Sequence, residues 1–158
     1  MKKLLVLFSI LITSFTFAQI KSLDSTYIEG VKKDLKGTFT QAVKENMKLT
    51  EEQGKIFWPL YEEYMAARIP IFDERVNLTE EYMMNYYSLD DATAKDILNR
   101  AMKLNHDLLE VRDKYINKMM EKLPIPLVGK YFQIDNRISA LVDLVRMSST
   151  PLVRDEEE

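Results

Sequence analysis

LTEEQGKIFWPLYEEYMAARIPIFDERVNLTEEYMMNYY, residues 49–87, reads as one long amphipathic helix with two interruptions. Its start is a capping box: Leu49 at N′, Thr50 as a hydroxyl N-cap, Glu51 and Glu52 in the first turn, Gln53 at N3. The Thr50 hydroxyl can accept from the N3 backbone N–H while Gln53 reaches back to the Thr50 N–H, and the two carboxylates suit the positive end of the helix dipole. Beyond it Phe57, Leu60, Tyr61, Tyr64, Met65, Arg68, Ile69, Phe72, Val76, Thr79, Met83 and Tyr86 recur at spacings of three and four. They draw an apolar stripe with polar interruptions, a face built for partner helices. Pro59 and Pro70 each remove a backbone hydrogen bond and crowd the carbonyl four residues back, which predicts a bend at each. A helix over 51–87, roughly 37 residues, would be a bowed rod about 55 Å long.

The flanking segments continue the pattern. Tyr27, Ile28, Val31, Leu35, Phe39, Val43 and Met47 predict a helix from about Ser25 to Met47, softened by Gly30 and Gly37. Ser88-Leu89-Asp90-Asp91 is a tight turn with Asp90 as the next N-cap, and so short a connection makes neighbours antiparallel. The third helix, 91–123, places Ile97, Ala101, Leu104, Leu108, Val111 and Tyr115 at coiled-coil spacing, with Leu98, Met102, Leu109, Ile116 and Met120 broadening the seam. Asn105 and Arg112 interrupt that second row, either to fix register or to snorkel to water at its edge. Leu123-Pro124-Ile125-Pro126 stops this helix. Val128, Tyr131, Phe132, Ile138, Leu141, Val142 and Val145 predict a fourth over 127–147, and residues 151–158 form a disordered acidic tail. The expected fold is all-α: an elongated antiparallel helical hairpin or bundle of about four helices, two of them long, in one domain over 19–150.

The chain opens MKKLLVLFSILITSFTFAQ, with two lysines, an apolar run and a small-residue site before Gln19. That predicts a secretory signal peptide over 1–18 cleaved after Ala18, since the run is shorter than the roughly 20 residues that span a bilayer. Export to the periplasm follows, with no membrane insertion after cleavage. Losing Lys2 and Lys3 leaves 20 basic side chains against 25 acidic ones, a balance that argues against nucleic acid as partner. The chain has no Cys, so helix packing alone must hold the exported fold.

Catalytic machinery is not expected. One His, no Cys, no Gly-rich phosphate loop and no nucleophile elbow leave no constellation to name, so no catalytic residue, enzyme activity or cofactor is predicted. His106 and Glu110, at i, i+4, are weak candidates to share a metal ion; the plainer reading is a solvent-facing His beside acids. The binding signal is the 9 Met with 8 Tyr and 7 Phe. Met65, Phe72, Met83, Met84, Tyr86, Met119 and Met120 are either core of a thin domain or a pliable surface for varied apolar partners. Glu62, Glu63, Arg68, Asp73, Glu74, Arg75, Glu80 and Glu81 would rim that surface with mixed charge. Trp58 is expected where the first two helices meet near Pro59; buried, it is core, and exposed, it is the best binding residue.

Leu49-Thr50-x-x-Gln53 resembles the LTxxQ motif of the Spy/CpxP family of small exported all-helical proteins. A longer likeness is to envelope proteins with an LTxxQ-FWPxYxxY start and a later YFQI-N-R segment, here Phe57, Trp58, Pro59, Tyr61 and Tyr64, then Tyr131-Phe132-Gln133-Ile134-Asp135-Asn136-Arg137. Where that family carries its second LTxxQ, this chain reads Leu123-Pro124-Ile125-Pro126-Leu127. The resemblance implies an elongated helical protein, often a homodimer, that binds non-native polypeptides without ATP or reports envelope stress to a membrane sensor. The alternatives are a metal-responsive envelope sensor or scavenger, and a regulatory partner of a membrane sensor or anti-sigma system.

Overall fold

The computed structural model describes residues 37–154 apart from 38 and 149. The expected leader over 1–18, most of the helix expected from Ser25 and tail residues 155–158 lie outside the described residues. Among the described residues four helices follow in order: α1 over residues 39–47, α2 over Glu51–Asn85, α3 over Asp91–Met120 and α4 over Ile125–Ser148. The fold is all-α among the described residues, and no helix of these is long and apolar enough to cross a membrane.

The start of α2 is the capping box the sequence predicts: Gln53 N donates to Thr50 Oγ1 at 3.2 Å and Thr50 N to Gln53 Oε1 at 3.1 Å. The helix runs on through Pro59 and Pro70. Both prolines are exposed, and so are Lys55 and Ala66, whose carbonyls lose their partners; water can satisfy groups on that face. Lys48, at φ 46°, takes the left-handed turn between α1 and α2 that glycine or asparagine usually takes. Asp90 caps α3 by accepting from Thr93 N at 2.7 Å, a bond that holds its carboxyl below the usual range.

Cross-helix bonds fix the order. Lys118 reaches Glu63 at 3.0 Å, whereas Arg100 reaches Glu74 at 3.1 Å and Glu81 at 2.8 Å, so α3 runs antiparallel to α2. Tyr64 meets Asp135, Arg75 meets Asp143 and Tyr82 meets Pro151, so α4 returns parallel to α2. The Thr40 and Tyr61 hydroxyls bond at 3.2 Å, and the Arg68 guanidinium lies 4.6 Å over the Phe39 ring, so α1 is antiparallel to α2 as well. The result is an up-down-up-down bundle.

Several boundaries differ from expectation, and α2 ends at Asn85 rather than 87. The third helix ends at Met120 rather than 123, and the buried Leu123 closes the turn by donating its N–H to Met119 O. The fourth starts at Ile125 rather than 127, because Pro124 O accepts from Leu127 and Val128 N–H. Pro126 falls in the first turn, where a missing N–H costs no helix bond. On α3 the first apolar row faces the core through Leu104 and Tyr115, with the buried Met119 beyond its end, while Leu98, Met102 and Leu109 of the second row face solvent.

Candidate functional site

One cluster organises the bundle interior. Phe57, Tyr61 and Tyr64 rise from α2 at the spacing the stripe requires, and Tyr131 of α4 packs edge-on to all three, its ring centroid 5.1 Å from that of Phe57. One turn further along α4, Asp135 is 2% exposed. Its carboxylate takes Arg68 Nη1 at 2.6 Å from α2, Arg112 Nε at 3.2 Å from α3 and the Tyr64 hydroxyl at 3.2 Å. Arg68 also donates to Ser139 Oγ, and Arg112 to Asn136 Oδ1 at 3.0 Å. A carboxylate this deep stays only if it is compensated: Arg68 and the Tyr64 hydroxyl donate to it, and Arg112 adds charge as an ion pair without a hydrogen bond from its Nε. Burial first, and the Asp135 charge second, push the Tyr64 phenol up to about 12. The same two causes raise Tyr131 well above the ordinary range, and its hydroxyl is buried without a hydrogen-bond partner among the described residues.

The residues behind the family likeness therefore converge on packing. Thr50 and Gln53 cap α2, Leu49 packs against the core, and Phe57, Tyr61 and Tyr64 stack against Tyr131 and Asp135 of the YFQI-N-R segment. Trp58 is half-buried at the α1–α2 contact, edge-on to Phe57 and Tyr61 with the Lys44 ammonium 5.8 Å over its ring, and Pro59 beside it is exposed.

The seven Met and aromatic candidates do not form one surface. Met65 is 2% exposed and Met119 0%, so both are core. Phe72 is half-buried beside Phe39, Arg68 and Leu108, and Met83 is half-buried. Met84, 81% exposed, and half-buried Tyr86 stand at the α2–α3 turn with Tyr87, 85% exposed. There Tyr86 stacks edge-on between Tyr82 and Tyr87, Arg154 lies over the Tyr87 ring, and Leu152 and Val153 are exposed. Met120 belongs elsewhere, on the outer row of α3.

That outer row is the one expected to broaden the seam. Leu98, Met102 and Leu109 are 59%, 53% and 55% exposed at heptad spacing, and exposed Lys95, Lys103, Glu110 and Asp113 flank them. The signal was present: Asn105 and Arg112 break this row and leave the other unbroken. On α4, Leu141, Leu144 and Met147 are also exposed.

No protein-family model matches this chain, and no curated protein or solved structure matches it. The site rests on its own geometry. Besides the apolar surface, the ligand atoms of His106, Asp107 and Glu110 lie within 4.8 Å of one another on α3. His106 and Glu110 are exposed, while Asp107 is also ion-paired with Lys103.

Proposed function

We propose that this chain is an exported helical protein that holds non-native polypeptides, without nucleotide, on the outer row of α3 and the aromatic tip at the α2–α3 turn. The observation that carries the reading is the exposure of Leu98, Met102 and Leu109 on a helix whose other row is already core. An apolar row rimmed by both signs of charge suits weak capture of unfolded segments, with methionine supplying the adaptability. The signal-like start of the chain supports a periplasmic setting, and the LTxxQ and FWPxYxxY likeness to the Spy/CpxP family points the same way.

The test is light scattering of a chemically denatured client diluted with and without the chain, with a size-exclusion mass on the same sample. Suppression near stoichiometric ratio is expected, and Leu98→Gln, Met102→Gln and Leu109→Gln together should abolish it with the melting temperature kept, since all three side chains face water. Unimpeded aggregation with the unaltered chain overturns the holding role and leaves the same surface to a membrane sensor partner. A dimer mass together with loss of dimerisation in the triple variant would make the row a homodimer contact instead. The grouping of His106, Asp107 and Glu110 favours one further reading, a metal-responsive sensor; an unchanged melting temperature under zinc titration disposes of it.

A further inference from the structure

Where α2, α3 and α4 diverge they leave a cavity of about 180 Å³. Its origin is a small residue in a seam: Ala101 lies between Ile97 and Leu104 on the inward row of α3, where a leucine would fill the space. Ile97, Ala101 and Leu104 of α3 and Leu78 of α2 make an apolar wall, Asn105 adds an amide at its α3 end, and Arg75 and Arg146 form the charged side. The hydroxyls around it are already committed. Thr79 Oγ1 donates to Arg75 O at 2.9 Å, Thr150 Oγ1 to Arg146 O at 2.8 Å and Tyr82 Oη to Pro151 O at 3.0 Å.

With the hydroxyls committed, the Arg75 guanidinium, beside the Asn105 amide, is the charged donor the cavity offers a ligand. Asp143 Oδ1 accepts from Arg75 at 2.9 Å and stands 3.5 Å from Arg146 Nη2. A guanidinium carries five N–H donors, and the Arg75 bond to Asp143 uses one. Burial, and the like charges of Arg146 and Arg68, work against the Arg75 charge despite Asp143. An added anion would relieve that.

We propose that this cavity binds a small monocarboxylate with an apolar body, the carboxylate on Arg75 beside Arg146 and the body on Leu78, Ile97, Ala101 and Leu104. A pocket of about 180 Å³, partly open to solvent and lined by both polar and apolar groups, suits an arylacetate or branched alkanoate of about ten non-hydrogen atoms. The inference goes beyond the polypeptide-holding role and uses none of its surface residues.

The experiment is a methyl NMR titration of the full chain with phenylacetate, and with phenylacetamide as its uncharged match. Saturable shifts confined to the methyls of Leu78, Ile97, Ala101 and Leu104 are expected, with the acid bound about tenfold or more tighter than the amide, as a charge-assisted bond requires. Arg75→Gln should bring the acid to the level of the amide, and Ala101→Leu should remove binding of both by filling the space. No saturable binding, equal binding of acid and amide, or undiminished binding by Ala101→Leu would each overturn the proposal. If either variant fails to fold, the comparison of acid with amide on the unaltered chain decides.

Discussion

Replacing Asp135 by Asn removes one charge and almost no volume from the centre of the bundle. At an effective dielectric of ~20, the 2.6 Å contact to Arg68 and the 3.2 Å contact to Arg112 are worth about 6 and about 5 kcal/mol of gross attraction. Desolvation of the three ions offsets most of that, at several kcal/mol each, so the intact cluster contributes little net stability. Breaking it differs, because Arg68 and Arg112 stay inside without a counter-charge. The expected loss is about 3–5 kcal/mol, which at ~2–4 °C per kcal/mol lowers the melting temperature by roughly 6–20 °C. Urea unfolding followed by circular dichroism should show a lower midpoint at unchanged slope. Converting Arg68 and Arg112 to Met and Asp135 to Leu together should recover most of the loss, since apolar replacement removes all three desolvation costs. A loss under about 1 kcal/mol for Asp135→Asn would mean that water reaches the cluster, which would refute a desolvated ion cluster at the centre of the bundle.

Tyr131→Phe removes a buried hydroxyl that has no partner among the described residues and should stabilise by about 1 kcal/mol, whereas Tyr64→Phe, which strips a donor from the Asp135 carboxylate, should cost about 1.5–3 kcal/mol by the same urea assay. Because the Tyr64 phenol is raised to about 12 in the folded chain, its contribution is complete below pH ~10 and is lost as pH climbs from there to 12. Urea midpoints at pH 9, 10, 11 and 12 should therefore fall more steeply for the unaltered chain than for Tyr64→Phe. Gly54 and Gly129 are helical and have room for a Cβ, Gly54 at an ordinary 3.5 Å from the Trp58 ring, so Gly54→Ala and Gly129→Ala should each stabilise by about 0.5–1 kcal/mol. A loss at Gly54 would show that the Trp58 ring cannot tolerate a methyl group beside it.

Periodicity and capping made the helices legible: Thr50 and Gln53 mark the start of α2 by their own chemistry, and Asp90 that of α3. Pro126 misled the boundary because a first-turn proline and a helix-ending proline look alike until the carbonyl of Pro124 is seen to serve the next turn. The Arg68–Asp135–Arg112 cluster was not legible. Its members come from three helices, 67 residues separate Arg68 from Asp135, and a charge inside an apolar stripe reads as its edge until the partners are seen to meet. The candidate surface was legible in composition but not in position: Met65 on the α2 stripe and Met119, outside both α3 rows, end in the core, while Met84 ends in water.

What places the exposed row on α3 follows from the same residues. The two apolar rows differ by one position, about 100° of rotation, and both carry coiled-coil spacing, so spacing cannot choose between them. Turning the Leu98 row inward would carry Asn105 toward the interior and bring Ile97, Leu108 and Val111 outward. The polar interruptions thus bias α3 to bury its unbroken row. Arg112, at the flank of the buried row, reaches Asp135 and Asn136 on α4 and ties α3 to α4 in this orientation. Leu98, Met102 and Leu109 remain in water as a consequence of how the core is satisfied.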